Sequence, residues 1–240
     1  LSLKLIRPED LAPSLFEGLA ADLSQTYYWT PLFDEDFYIA LARAGFISVA
    51  HISEWGELLL PELQAAYAVL DWKDLKASRS TQKLLDPQRM ASMDLRFEFS
   101  QEASAVNRVL DALEEQWGAS SWLLPSYRRL MENLVHRPSF FFALEATRLW
   151  VGDTLVAGEL GYTTGAVYTS LSGFFKRGRT EWNGLGIVQL QVLARHLESA
   201  SYRFWNLGHP YMKYKRDLGA KVLPRLEFLE RWKAAIEEAR

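Results

Sequence analysis

Apolar residues recur every three to four positions over residues 9–25 and 36–45, which predicts two helices. The second, DFYIALARAG, stops at Gly45, where a helix C-cap belongs. FISVAHIS (46–53) and ELLLPELQAAYAVLDW (57–72) alternate instead and predict short strands. Helical spacing returns in SQEASAVNRVLDALEEQW (100–117), with acidic residues early in its sequence, and in LPSYRRLMENLVHR (124–137). The pattern then changes: SFFFALEATRLW, TLVAGELGY and AVYTSLSGFF are apolar runs parted by the turns Gly152-Asp153 and Thr164-Gly165, which predicts an antiparallel meander. The amphipathic helix GLGIVQLQVLARHLESA follows, then the strand YRFWNLG, the short helix HPYMKYKRDLG and a last strand around KVLPRLEFL. The last hundred residues thus read βββαβαβ.

Composition narrows the classes. The chain has 240 residues, 49% hydrophobic and 24% charged, enough for one large domain or two modest ones. No apolar run approaches the ~20 residues that span a bilayer, and LSLKLIRPED lacks the apolar centre of a signal peptide, so the expectation is a cytoplasmic protein without membrane contact. With no cysteine, thiol nucleophiles, thiolate metal sites and disulfides are excluded. A net charge of −3 argues against wholesale coating of nucleic acid and restricts any phosphate-binding surface to a patch. LKASRSTQKLL (75–85) is a candidate patch, with Lys76, Arg79 and Lys83 among small hydroxylated residues.

The βββαβαβ order, with Gly184-Leu185-Gly186 opening the central helix and Asn206 on the next strand ahead of Tyr214, resembles the GNAT acyltransferase superfamily. That resemblance implies an α+β fold. In an acetyltransferase the glycine loop would hold the coenzyme A pyrophosphate on backbone N–H groups. Glu181 stands where that superfamily favours Arg or Gln, which makes a structural helix start the competing reading.

LKASRSTQKLL is also similar to the Leu-His-Ile-Ser-Arg-Ser-Leu-Arg-Lys stretch of leucyl/phenylalanyl-tRNA:protein transferases. Ser121-Trp122-Leu123-Leu124-Pro125 with Tyr127 resembles that family's Thr-Trp-Ile-x-Pro element. Ala143-Leu144-Glu145, Leu155-Val156-Ala157-Gly158, Leu218-Gly219-Ala220 and Pro224-Arg225 follow in the family's order. By this resemblance Lys76, Arg79 and Lys83 would meet the tRNA acceptor arm, through phosphate contacts that accept several tRNAs. Trp122 would stack near the terminal adenosine, and Ser172 and Phe174 would line the aminoacyl pocket. Lys215-Arg216-Asp217-Leu218-Gly219 is similar to the Lys-Arg-x-Phe-Gly element of Fem-type aminoacyl-tRNA-dependent transferases, which implies a cation near tRNA or acceptor phosphate at Lys215 and Arg216.

The departures from the family bear on the acceptor. Leu171 and Asn206 stand where the leucyl/phenylalanyl transferases carry acids, so the negative charge facing a basic N-terminus is missing. Glu145 and Glu159 are the candidates to replace it. His209, just after the strand end where the central strands of this fold splay, is the candidate proton acceptor, and Asn206 or a backbone N–H the candidate oxyanion donor. An aminoacyl ester is already activated, so positioning an amine can supply ~7–11 kcal/mol of the barrier reduction without cofactor or metal. The expectation is therefore a small N-terminal α/β region (1–74) and a GNAT-like domain (75–240). Together they would move an aminoacyl group from aminoacyl-tRNA to a peptide, protein or small-molecule amine. A coenzyme A-dependent N-acetyltransferase and a catalytically silent tRNA- or peptide-binding relative are the alternatives.

Overall fold

The computed structural model describes residues 3–118 and 121–238. The chain enters through β1 (Lys4–Leu5), a 3-10 turn at Pro8–Leu11, α1 (Pro13–Ala21), β2 (Tyr28–Trp29) and α2 (Glu35–Arg43). Asp34 caps α2 by accepting from the Phe37 N–H at 2.8 Å, and Gly45 leaves it at φ +92°. β3 (Ile47–Ser53) and β4 (Gly56–Glu62) pair as a hairpin of their own, and β5 (Ala66–Leu70) departs from it.

Two short helices follow, α3 (Arg79–Leu84) and α4 (Pro87–Ser92), capped by Ser78 and Asp86. β6 (Leu95–Ser100), α5 (Ala103–Trp117) and α6 (Pro125–Leu134) complete the first half. The meander is β7 (Ala143–Val151), β8 (Thr154–Thr164) and β9 (Val167–Phe175). Then come α7 (Leu185–Ser199), β10 (Phe204–Gly208), α8 (Lys213–Leu218), β11 (Lys221–Pro224) and α9 (Arg225–Ile236).

Seven strands form the main sheet in the order β11-β5-β10-β9-β8-β7-β6. The predicted α+β class and the β7-β8-β9-α7-β10-α8-β11 succession are present. α5 and α6 cover one face of the sheet with α2, around Leu110, Leu113, Tyr127 and Leu160. α7 covers the other face, packing Leu193, Ala194 and Leu197 on Tyr168 and Trp205. Burying these side chains supplies the driving force, at ~25 cal/mol per Å² of apolar surface removed from water.

Two features differ from the sequence expectation, and a third lay beyond it. β6 is a strand where only a helix start at Ser100 was read, because its half-buried alternation over LRFEFS is short and abuts α5. The strand read around KVLPRLEFL ends at Pro224, and Arg225, Phe228, Trp232, Ala235 and Ile236 are buried at helical spacing along α9. β10 and β11 do not pair; β5 lies between them, antiparallel to both. β5 thus belongs by hydrogen bonding to the main sheet, although it lies on the N-terminal side of residue 74. No helix among the described residues is long and apolar enough to cross a membrane.

Candidate active site

β9 and β10 run parallel, and their ladder holds only for Phe204↔Val167, Trp205↔Tyr168 and Asn206↔Thr169. Beyond Thr169 the two strands part while β9 stays paired with β8 as far as Ala157↔Phe175. The β8–β9 register shifts between Gly161↔Ser170 and Leu160↔Ser172, so Leu171 is the extra residue of a bulge. From Ser170 onward the β9 edge therefore turns backbone groups into the gap instead of into a ladder. Such N–H groups are rigid donors for a developing oxyanion. At the far end Phe175 N–H is taken by the side-chain carbonyl of Gln116 at 2.9 Å.

The gap has a polar floor. Glu159 of β8 is 4% exposed, and its Oε1 accepts from Tyr168 Oη at 2.9 Å and from Ser170 Oγ at 2.8 Å. Trp205 Nε1 donates to the same Ser170 Oγ at 2.8 Å. A Cβ on Gly161 would lie 2.3 Å from Tyr168 Oη, so only glycine there lets the phenol reach Glu159. Burial raises the Glu159 carboxyl from its ordinary range to about 7, against the lowering by its two hydroxyl donors and by Lys215. Lys215 of α8 is 5% exposed, and burial lowers its ammonium to about 8. Burial thus pushes a carboxylate up and an ammonium down close to the point where the two strands part, a combination that makes this gap the candidate reactive site.

The other expected residues fall in distinct places. Lys215 does not present its charge to solvent as a phosphate-binding residue would: its Nζ donates to the carbonyls of Leu207 and His209, the latter at 2.8 Å, and so fixes the end of β10. Asn206 is 1% exposed, and its Oδ1 accepts from Gly208 N–H at 3.0 Å while its amide reaches Thr169 Oγ1 at 3.4 Å. Both ends of the Asn206 side-chain amide are thus engaged within the fold. His209 Nε2 lies 2.9 Å from Glu62 Oε2 and 3.3 Å from Tyr27 Oη, and its Nδ1 is enclosed. Glu145 is fully buried and accepts from the side-chain amide of Gln101.

Lys76, Arg79, Lys83 and Arg216 are exposed. The two segments that carry them, 140 residues apart in sequence, are joined: Lys76 N–H donates to Leu218 O at 2.8 Å. A Cβ on Gly219, at φ +112°, would lie 1.9 Å from Asp74 O, so this contact requires glycine. α3 packs on α7, and Leu84 touches Gly184 at the start of that helix. Trp122 lies away from this surface, partly buried and edge-on to Tyr127 at 4.8 Å, within the core beneath α5 and α6. Phe174 is 4% exposed and, with Gln116, Trp117, Phe175, Lys176 and Arg177, lines a cleft of about 390 Å³. Ser172 is half-buried opposite Leu160.

Sequence reasoning missed Glu62, Tyr27, Tyr168, Ser170 and Trp205. One signal was present for the floor: a lone carboxylate and two glycines interrupt TLVAGELGY, a strand otherwise apolar enough to be buried on both faces. Glu62 had none, since it meets His209 across 147 residues of chain. Among the described residues no group of three or more His, Asp or Glu is placed to hold a metal ion.

Comparisons with known proteins bear on this arrangement. No curated protein matches the chain. Among solved structures, the C-terminal domain of a protein described as a lysylphosphatidylglycerol synthetase from Agrobacterium fabrum is 15% identical, with 91% of this chain and 72% of that one covered and a TM-score of 0.49. L-PGS from Bacillus licheniformis is 10% identical over 97% of this chain and 72% of that one, TM-score 0.43. FemX is 9% identical over 87% and 72%, TM-score 0.46. The sequence profile of the acetyltransferase (GNAT) domain matches residues 77–216, more than half of the chain, and it spans the basic segment, the meander, α7, the parting strands and most of α8. The protein belongs to the acetyltransferase (GNAT) domain family.

Proposed function

We propose that the protein transfers an aminoacyl group from aminoacyl-tRNA to an amine acceptor in the gap between β9 and β10. The observation that carries this reading is the bond between LKASRSTQKLL and KYKRDLGA, the two segments whose resemblance is to aminoacyl-tRNA-dependent transferases. Their exposed cations Lys76, Arg79, Lys83 and Arg216 form the surface for the acceptor arm. Ser172 and Phe174 border the aminoacyl side chain, and backbone N–H groups of β9 beyond the last β9–β10 pair receive the oxyanion. Asn206 and His209 act as positioning residues at the end of β10, the latter through Glu62.

Calorimetry tests the donor. Charged tRNA should bind and acetyl-coenzyme A should not; the reverse would sink this reading. Incubation of the protein with total charged tRNA and a panel of peptide and small-molecule amines, read by mass shift, then identifies the acceptor. Arg79→Ala combined with Lys83→Ala should weaken all charged tRNAs alike and lower the salt slope of binding by about 2. An unchanged slope would return both residues to ordinary solvated surface.

A second reading keeps the site and changes the donor. The family match, and the helix start at Gly184-Leu185-Gly186 beside Phe175, favour coenzyme A-dependent acetyl transfer to an amine. The same calorimetry separates the two.

A further inference from the structure

We propose that Ser170 and Glu159 form a proton relay that takes the proton from the attacking amine and returns it to the leaving group. The inference rests on the acyl-transfer reading and assigns a step that either donor requires.

The argument begins with the hydrogen-bonding capacity of Ser170. Its hydroxyl has one proton to donate and two lone pairs to accept with. The proton goes to Glu159 Oε1 at 2.8 Å, and Trp205 Nε1–H occupies one lone pair at 2.8 Å. One lone pair is left. Ser170 is the first β9 residue beyond the last pair with β10, Thr169↔Asn206, and it is half-buried while Glu159 beneath it is 4% exposed. The hydroxyl therefore stands between the gap and a carboxylate that no substrate needs to touch. Tyr168 Oη holds the same Oε1 at 2.9 Å, and the Glu159 N–H is fixed on Thr147 Oγ1 at 3.1 Å, itself bonded to Gln189 Nε2 at 2.8 Å. The carboxylate is thus anchored from β9, β7 and α7.

His209 is the competing proton acceptor, and its Nε2 is engaged by Glu62 at 2.9 Å while its Nδ1 is buried. Ser170 is half-buried where the strands part and is coupled to a carboxylate. In the step, the nitrogen of a neutral amine bonds to the donor's carbonyl carbon. One of its protons passes to Ser170 Oγ as the Ser170 proton passes to Glu159, which becomes a neutral acid. As the tetrahedral intermediate collapses, the carbonyl–oxygen bond of the ester (or the carbonyl–sulfur bond of a thioester) breaks, and the electron pair leaves with the heteroatom. The relay then runs backwards and returns the proton to that leaving atom, which regenerates ionised Glu159. The charged and titratable groups around Glu159 are Tyr168 on β9, Tyr214 and Lys215 on α8, and Glu145 on β7, which acts on Tyr168. Lys215 favours the ionised carboxylate, and burial opposes it, setting its titration at about 7.

The test is a pH–rate comparison of the purified protein with Glu159→Gln, Glu159→Asp and Ser170→Ala, using charged tRNA and acetyl-coenzyme A as donors and a peptide amine as acceptor. Glu159→Gln and Ser170→Ala should each lower kcat about 100-fold at pH 8 with the donor KM unchanged. The ratio of unaltered to Glu159→Gln rate should fall about tenfold per unit below pH 7, a comparison that cancels the acceptor's own titration. Glu159→Asp should restore that pH dependence. A ratio constant from pH 5.5 to 9, or Ser170→Ala as active as the unaltered protein, overturns the relay. Should Glu159→Gln fail to fold, Ser170→Ala carries the comparison alone. Turnover of acetyl-coenzyme A only, with the expected ratio, sinks the aminoacyl-tRNA reading and keeps the relay. Turnover of charged tRNA with a constant ratio does the opposite, and no turnover of either donor overturns both.

Discussion

Arg225→Met should lower the stability of the protein by about 4 kcal/mol, read as a drop in the urea midpoint at constant slope. Arg225 opens α9 and is fully buried, and among the described residues its guanidinium bonds to backbone carbonyls and forms no ion pair. Its donors go to six backbone carbonyls: Gln64 at 3.0 Å, Leu63, and Leu19, Ala20, Asp22 and Gln25 at 3.2, 3.5, 2.8 and 3.0 Å. One side chain thus ties the end of α1, the segment after it and the β4–β5 connection to the last helix. Methionine fills a similar volume and supplies no donor, so several buried carbonyls lose their partner at ~1–3 kcal/mol each before water re-enters. Arg225→Lys should fall between the two, because three donors on a point charge cannot copy the planar fork. A loss below 1 kcal/mol for Arg225→Met would mean that those carbonyls are satisfied without it.

The second large effect concerns pH. Glu159→Gln should stabilise the protein at pH 8 by ~3 kcal/mol relative to its effect at pH 4, measured by urea titration at both. Burial raises the carboxyl from 4.5 to about 7. Between those values the native state still holds a proton that the unfolded chain has released, so stability falls as pH rises through the window. At 1.36 kcal/mol per unit the difference reaches ~3 kcal/mol above pH 7. Glutamine has no such window and can still accept from Tyr168 and Ser170. Lys215 works in the opposite sense: lowered from 10.5 to about 8, it makes stability rise with pH between those values, and Glu159→Gln, which removes the charge that holds the ammonium up, extends that limb to lower pH. A protein less active and more stable after Glu159→Gln carries the mark of a carboxylate kept charged at a cost in folding. Equal stability changes at pH 4 and pH 8 would show that Glu159 is not held near neutrality.

The sequence by itself determined the elements that local rules specify. α2 is bounded by Asp34 and Gly45, the meander by its glycine turns, and α7 by its amphipathic spacing, and each signal lies within a few residues of the feature it sets. The order of these elements was enough for the α+β class and the family. The basic segment was legible as an exposed patch, because Arg79 and Lys83 sit on a short helix capped by Ser78 and remain on the surface. Only the tertiary structure decided what depends on contact between distant residues. β5 enters the sheet between β10 and β11, a choice of partner that alternation along one strand does not record. Lys215 reads as a surface cation in KYKRDLGA, and folding turns it inward onto two carbonyls. Glu159 reads as one carboxylate among many, and its character comes from Tyr168, Ser170, Trp205 and Lys215 closing around it. Periodicity reports which face of an element is buried; the partner across that face, and hence the charge state of a group there, is set by packing in three dimensions.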